Sequence, residues 1–174
     1  MARANAAGVP AVWLPTPVPH LNSGDSGLTG PDPDLGLERL LKDHRIDLIC
    51  LAGYMRKVGP RLLNSFPNRI MNIHPSLAPA FSGPGMYGPW VHRAVLEYGA
   101  KISGCTVQFI DEEYDSGPII IQRAVPVEED DTPERLAARI LPFEHEAYVE
   151  AVRLFALGRL KVDERRVRIL PSRE

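Results

Sequence analysis

Two short polar segments of the chain combine residue types that can move protons and hold negative charge. The first is Asn72-Ile73-His74-Pro75-Ser76, which stands where a short apolar run ends. In an extended chain residues i and i+2 share a face, so Asn72 and His74 would point the same way, roughly 7 Å apart at the backbone. An amide donor beside an imidazole can hold a developing oxyanion and transfer a proton. A polar pair that only caps the end of a strand is the alternative interpretation.

The second segment runs from Asp111 to Pro118 and reads Asp-Glu-Glu-Tyr-Asp-Ser-Gly-Pro. Four carboxylates before a Gly-Pro pair are typical of a solvated turn. The catalytic interpretation requires one carboxylate, Asp115, to turn inward against His74, where it would orient the ring and stabilise its charged form. Both interpretations stay open here, because spacing along the chain does not establish a contact between two distant residues.

The other polar motifs predict less chemistry. The glycine-rich stretch 82–88 has neither the Gly-Lys-Ser/Thr ending of a P-loop nor Gly-x-Gly-x-x-Gly spacing, so we expect a flexible loop near a substrate. His92 is expected to pack on a helix face. The run Glu144-His145-Glu146 has neither metal-motif spacing nor a second ligand cluster, so no metal site is predicted.

Strands that alternate with helices must position these segments. Helices are expected over 2–7, from Asp34, and over 61–66, 90–98 and 132–157, with Pro142 kinking the last; strands are expected over 9–14, 46–51, 69–73, 102–110 and 118–127. This alternation predicts an α/β fold with a Rossmann-like, doubly wound, mostly parallel sheet and an antiparallel C-terminal portion. Ligands collect at the carboxyl ends of parallel strands, which is where the polar segments lie.

We expect one domain over residues 1–174. Six of its 17 prolines lie in the first 35 residues, and the stretch 15–33 is predicted to be a mobile loop. Residues 159–171 are predicted to form a C-terminal hairpin.

The composition excludes several kinds of partner. Lys and Arg total 20 and Asp and Glu total 22, so a net charge of -2 leaves no electrostatic footprint for nucleic acid or an anionic membrane. No apolar run approaches the roughly 20 residues of a membrane span, and no signal peptide is recognised. Cys50 and Cys105 lie in apolar stretches, as buried thiols of a cytoplasmic protein do.

Four motifs in fixed order carry a resemblance to a known family. They are Leu51-Ala-Gly-Tyr-Met-Arg56, Met71-Asn-Ile-His-Pro-Ser-Leu77, Ser103-Gly-Cys-Thr-Val107 and Tyr114-Asp-Ser-Gly-Pro-Ile-Ile120. Together they resemble the folate-dependent formyltransferases, and most closely the members of purine synthesis. The resemblance extends over about residues 2–160.

The resemblance implies a role for each residue of the site. Asn72, His74 and Asp115 would form the catalytic set, while Pro75 and Glu144 would contact the acceptor substrate, Glu144 at its ribose. The residues implied to bind the folate are Met55, Arg56, Val58, Asp111, Glu112, Glu113 and Tyr114. The formyl-donor co-substrate would be 10-formyltetrahydrofolate, and no metal is implied.

The implied reaction is transfer of a one-carbon formyl group to the amine of 5'-phosphoribosylglycinamide. The amine attacks the formyl carbon, and the Asn72 amide and a protonated His74 would stabilise the resulting oxyanion. Asp115 would hold the histidine and relay protons through water. Losing one such preorganised donor typically costs around 10²–10³ in rate.

The chain departs from the family pattern at two places. Family members often carry histidine where this chain has Gln108, so we expect no auxiliary role at that position. The family's domain also begins with a strand and a Gly-Ser-rich loop whose amides hold the substrate phosphate. Nothing here matches them, and Ala2 aligns with the helix after the second strand, so we expect a formyltransferase fold that is N-terminally short.

Three alternatives remain beside this interpretation. They are a 10-formyltetrahydrofolate hydrolase, a formyltransferase for another amine such as a sugar nucleotide or methionyl-tRNA, and a truncated folate-binding module with weak activity. A missing first strand would leave a sheet edge unpaired, and an unpaired edge invites another chain, so a homodimer is also expected.

Overall fold

The computed structural model describes residues 2–11 and 33–172, and the chain divides into two compact units, 1–46 and 47–174. The first unit contains helices α1 (Ala2–Ala6) and α2 (Pro33–Asp43), in agreement with the predicted helices. The predicted strand over 9–14 is wrong for its described residues 9–11, which form no strand. Of the predicted loop 15–33, residues 15–32 lie outside the described part, and Pro33 begins α2.

The second unit holds the sheet. Its elements are β1 (Ile49–Leu51), α3 (Pro60–Ser65), β2 (Ile70–His74), α4 (Pro89–Tyr98), β3 (Ile102–Phe109), β4 (Ile119–Pro126), α5 (Pro133–Ala156), β5 (Leu160–Asp163) and β6 (Arg166–Ile169). The strand order is β1-β2-β3-β4-β6-β5. The pairs β1–β2 and β4–β6 are parallel, and the other three neighbouring pairs are antiparallel. The α/β fold and its antiparallel C-terminal portion are confirmed, and β5 and β6 form a hairpin.

The two longest helices of this unit begin and end at residues suited to those positions. Pro89 occupies the first turn of α4, and Gly99 ends the helix with a φ of 76°, a left-handed conformation that glycine adopts without strain. At the start of α5 the Thr132 hydroxyl accepts a hydrogen bond from the Arg135 amide at 3.3 Å. The α5 helix then runs through Pro142 to Ala156.

The hydrophobic core lies between the sheet and α5. Buried side chains at Leu136, Ile140, Ala147, Ala151 and Leu154 form one stripe of the helix, with the spacing that a 3.6-residue period requires. They pack on β3 and β4 together with apolar residues of β2. Since each large apolar side chain contributes about 1.5–3 kcal/mol when fully buried, this layer fixes α5 against the strands that carry the polar segments.

None of the described helices has the length and hydropathy needed to cross a bilayer.

Candidate active site

A cleft of about 680 Å³ opens at the carboxyl ends of β1 and β2. Its lining comes from five places: the segment after β1, the end of β2, the glycine-rich stretch 83–88, the carboxylate-rich segment 110–115, and the facing sides of α4 and α5. The two polar segments that the sequence singled out meet in one cavity. Because β3 is antiparallel to β2, its carboxyl end lies beside Met71 at the start of β2, and the segment after β3 folds back to reach the end of β2.

Eleven of the twelve predicted site residues line this cleft. They are Met55, Arg56, Val58, Asn72, His74, Pro75, Asp111, Glu113, Tyr114, Asp115 and Glu144. Glu112 is exposed and does not line the cleft, so the structure does not bring this carboxylate to the others. Its side chain lies on the outside of the turn that its neighbours form.

His74 lies at the centre of the cleft wall with only 3% of its surface exposed. Its Nε2 faces the Phe81 carbonyl oxygen at 2.9 Å, and its Nδ1 lies 3.4 Å from Oδ2 of Asp115. Both ring nitrogens thus face acceptors. A neutral imidazole has one N–H, whereas the protonated ring has two, so this environment suits a positively charged His74.

Asp115 faces polar groups from three parts of the chain. Besides His74, the Gly83 amide donates to Oδ2 at 3.1 Å and the Gln108 amide nitrogen donates to Oδ1 at 3.3 Å. The backbone of Asp115 has a φ of 51°, in the left-handed region. This φ points its side chain in a different direction from the one it would take in extended backbone. The carboxylate-rich segment is therefore more than a solvated turn, because one of its carboxylates is turned against the histidine.

Gln108 is a residue of this site to which the sequence interpretation gave no role. It lies on β3 directly opposite Asn72, while Thr106 lies opposite His74. Two polar residues at i and i+2 in an otherwise apolar strand are a signal that could have identified it, because such residues share one face. The Gln108 side chain is buried, and its amide nitrogen reaches the Asp115 carboxylate.

The carboxylate-rich segment keeps its shape through its own hydrogen bonds. Asp111 accepts from the Glu113 amide at 3.1 Å and from the Ser116 hydroxyl at 3.2 Å. Gly117 then passes so close to β3 that a Cβ there would stand 1.9 Å from the Phe109 carbonyl oxygen. Glycine is needed at this position because the segment must return beside the strand it has just left.

A buried hydroxyl network fixes the acceptor that faces His74. Thr106 donates from its hydroxyl to the Ser76 carbonyl at 2.7 Å and accepts from the Ala78 amide at 3.0 Å. The segment after β2 is thereby tied to β3. This tie holds the Phe81 carbonyl in front of the His74 ring, so the orientation of the ring depends on β3 as well as on its own strand.

Tyr148 of α5 joins β1 and β2, the two strands that lead into the site. Its hydroxyl lies 2.9 Å from the carbonyl oxygens of both Leu51 and Met71. Burial raises the pKa of this hydroxyl well above its ordinary value, so it stays a donor. Because Met71 immediately precedes Asn72, the contact fixes the backbone from which the Asn72 side chain enters the cleft. No sequence motif pointed to Tyr148.

The facing sides of α4 and α5 add two titratable groups. Burial raises the pKa of Glu144, an effect that His145 partly offsets. Burial lowers the pKa of His92, and the nearby His74 lowers it further. The prediction that His92 packs on a helix face is confirmed, and the structure adds that the ring lines the cleft.

The segment after β1 offers an exposed apolar surface. Met55 is 58% exposed, and Lys57 places its ammonium 5.7 Å from the centre of the Tyr114 ring. Exposed apolar and aromatic groups inside a cleft suit a flat organic ligand. Among the described residues no group of three or more His, Cys, Asp or Glu side chains could hold a metal ion.

Comparisons with known proteins agree with this geometry. The sequence model of a family described as formyl transferase matches residues 32–152. A chloroplastic phosphoribosylglycinamide formyltransferase of Arabidopsis thaliana is 47% identical over 135 residues, which cover 78% of this chain and 46% of that protein. The enzyme of the same name from Vigna unguiculata is 46% identical over 167 residues, covering 96% and 51%. The chain thus spans about half the length of these curated relatives.

A solved structure shows the same fold. The crystal structure of glycinamide ribonucleotide transformylase 1 from Symbiobacterium toebii superimposes with a TM-score of 0.83 at 48% sequence identity. The match covers 98% of this chain and 74% of that one.

Proposed function

The chain belongs to the formyl transferase family, and from that premise we propose that it transfers a formyl group from 10-formyltetrahydrofolate to the amine of 5'-phosphoribosylglycinamide in purine synthesis. The observation that carries the proposal is the placement of Asn72, His74 and Asp115 in one cleft at the strand ends. The names of the relatives at 46–48% identity support this acceptor.

The two substrates would occupy different parts of the cleft. The pterin would bind beside Met55, Arg56 and Val58, with the segment 111–114 closing over it. Pro75 would contact the acceptor from the end of β2, and Glu144 would contact it from the middle of α5. The reacting groups then meet beside Asn72 and His74, which satisfies the need to hold both reactants in attack geometry.

The chemistry needs negative charge to be stabilised as it develops. When the amine attacks the formyl carbon, the carbonyl oxygen becomes an oxyanion, to which the Asn72 amide donates and near which the charge of His74 acts. In this structure Nε2 of His74 donates to the Phe81 carbonyl. To donate directly to the oxyanion, Nε2 must give up that hydrogen bond and form one to the oxyanion instead.

Asp115 would complete the proton transfers. The attacking amine loses a proton, and the carboxylate accepts it through water while it keeps the imidazolium oriented. Collapse of the intermediate breaks the bond between the formyl carbon and the folate nitrogen, and that nitrogen takes up a proton. Formylated amine and tetrahydrofolate leave, so atoms and charge balance without a metal.

The wider organisation of the protein is part of the proposal. One formyltransferase-type domain would cover residues 1–174, and two copies would pair as a homodimer. The strand order supports the pairing, because β1 forms the edge of the sheet and no other described strand pairs with its outer side. Light scattering tests whether two copies pair in solution.

We place the protein in the cytoplasm, with a plastid as the second location because two relatives are named chloroplastic.

A formyl-transfer assay with three arms tests the function. The purified chain receives the formyl donor with phosphoribosylglycinamide, with no acceptor, or with other amines. Formylation of the ribonucleotide alone is the expected result. Consumption of the donor without an acceptor would instead establish the hydrolase, and formylation of another amine would reassign the acceptor.

Two variants and a control assign the chemistry. His74→Ala and Asp115→Asn should each suppress turnover strongly, whereas Glu129→Gln, which removes an exposed ion pair with Lys101, should not. Calorimetry with a folate analogue shows whether an inactive variant is still folded and retains its binding cleft. If the wild-type chain itself binds the analogue but transfers no formyl group, it is the folate-binding module.

A further inference from the structure

The tip of the C-terminal hairpin reaches the segment that carries Asp115. Strands β5 and β6 are joined by a two-residue turn, Glu164 and Arg165. The guanidinium of Arg165 donates a hydrogen bond to the backbone carbonyl of Ser116, 49 residues earlier in the chain. Since Ser116 directly follows Asp115, a side chain from the far end of the chain contacts the backbone next to the predicted catalytic carboxylate.

The hairpin gives the Arg165 side chain a fixed starting point. Strand β6 pairs with β4 where Arg166 lies opposite Ile119, at the start of β4. Three apolar side chains of the hairpin pack against the hydrophobic core, namely Leu160, Val162 and Val167. Because strand pairing and core packing hold both strands, the short turn between them has little freedom. The Arg165 side chain therefore starts from a backbone that is fixed relative to β4.

The backbone beside Asp115 needs support of this kind. Asp115 has a φ of 51°, a left-handed conformation that non-glycine residues keep only where their surroundings impose it. The peptide that joins Ser116 to Gly117 carries the carbonyl oxygen that Arg165 binds. On its other side, Gly117 lies against the Phe109 carbonyl. Arg165 and β3 thus hold this peptide from two sides, and a rotation of the peptide would move the Asp115 side chain.

The charges at this contact are also complementary. Residues 111–115 carry four carboxylates, which repel one another at close range. Arg165 brings a guanidinium, which is always protonated in proteins, to the carboxyl end of this segment. The start of the segment is held separately, because Asp111 accepts two hydrogen bonds from residues close by in the chain. We therefore expect Arg165 to act on Asp115 more than on the start of the segment.

Resting on the proposed function, we propose that Arg165 is a positioning residue for formyl transfer. By binding the Ser116 carbonyl, it keeps the Asp115 carboxylate against the His74 ring, where Oδ2 lies 3.4 Å from Nδ1. Arg165 does not line the cleft, so it acts without touching either substrate. The C-terminal hairpin thereby contributes to catalysis through the placement of one carboxylate.

Three variants of the full chain test the proposal by steady-state formyl transfer. Arg165→Met removes the donor and the charge but keeps an apolar stem, and kcat should fall about three- to tenfold, the effect of one hydrogen bond. The KM values of both substrates should stay within about twofold, because Arg165 contacts neither of them. Arg165→Lys keeps a charged donor and should retain most of the wild-type kcat. Arg166→Met changes the exposed arginine next in the chain, and it should leave kcat unchanged.

A double-mutant cycle shows whether Arg165 acts through Asp115. In a protein that already carries Asp115→Asn, the further change Arg165→Met should lower kcat no more than Arg166→Met does, since the group to be positioned is gone. An equal fall of kcat in both backgrounds would overturn the inference. So would a lower urea midpoint at unchanged kcat, which is the result of a merely structural contact, or a raised KM for the formyl donor at unchanged kcat.

Hydrogen exchange adds a measurement on the free protein. Backbone amides of residues 111–117 should exchange faster in Arg165→Met than in the wild-type protein or Arg166→Met, and equal exchange in all three overturns the inference. If the wild-type chain formylates another amine or hydrolyses the donor, the proposed acceptor is wrong, and the same cycle is run on the reaction found. A wild-type chain with no turnover overturns the proposed function and this inference with it.

Discussion

Replacing Asp115 by asparagine tests the centre of the site with the smallest change of shape. The Asp115 carboxylate accepts hydrogen bonds from the Gly83 amide and the Gln108 amide nitrogen, and its Oδ2 lies 3.4 Å from Nδ1 of His74. An asparagine side chain has one oxygen and one NH₂ group, so at least one buried donor would face another donor. That mismatch should lower the free energy of unfolding by about 1–3 kcal/mol.

The effect of Asp115→Asn on the rate should be larger than its effect on stability. Without the negative charge, His74 loses the group that balances its second N–H, and the reaction loses its proton acceptor. Removal of a positioned acid or base typically costs about 10²–10⁴ in rate, and we expect kcat to fall in that range. Urea unfolding and steady-state formyl transfer measure the two quantities on the same protein. A folded Asp115→Asn variant with near wild-type kcat would refute the role given to this carboxylate.

Four further changes probe the supports of the site. Gln108→Leu removes a donor to Asp115 together with an unpartnered buried oxygen, so kcat should fall about tenfold while the urea midpoint stays nearly unchanged. Tyr148→Phe leaves the Leu51 and Met71 carbonyls without their shared donor and should cost about 1–3 kcal/mol in urea unfolding. Gly117→Ala forces a Cβ against a carbonyl oxygen and should lower stability by about 1–3 kcal/mol or more in thermal unfolding. Burial raises the pKa of Cys105 to about 11 from 9.0, so stability should fall as pH rises from 9.0 towards 11, and Cys105→Ala should remove that part of the slope in pH-dependent unfolding.

The elements of the fold could be predicted closely where local signals fix both ends. Thr132 and Pro133 mark the start of α5, and Gly99 marks the end of α4, because capping and proline effects act within one turn. The predicted strand over 46–51 is too long at its beginning. Ile46 belongs to the turn that closes α2, where its amide donates to the Leu41 carbonyl at 3.0 Å. Hydrophobicity alone does not separate a turn residue from a strand residue.

The residues of the candidate site likewise divide into those that a local sequence pattern predicts and those that it does not. The residues predicted from the sequence lie in contiguous motifs, since neighbours such as Asn72 and His74 share a face by strand geometry alone. The contact between His74 and Asp115 could only be expected from a resemblance, because it depends on how the segment after β3 folds back. Glu112 belongs to the same motif as Asp115, yet the turn directs it outward. Membership in a motif therefore identifies a segment, while backbone conformation decides which of its side chains enters the cleft.

The residues that sequence reasoning missed act from a distance along the chain. Gln108 lies opposite Asn72 in the register between β2 and β3 and reaches Asp115, while Tyr148 reaches the Leu51 and Met71 carbonyls because the core stripe of α5 fixes the helix. The spacing of Thr106 and Gln108 indicates a polar strand face, but no local pattern predicts either contact, since each depends on pairing or packing between distant segments. Both stabilise groups that touch the cleft without lining it themselves. The preorganisation that the proposed formyl transfer demands is thus built by the sheet register and the core, and the predicted catalytic motifs depend on contacts that their own sequence does not encode.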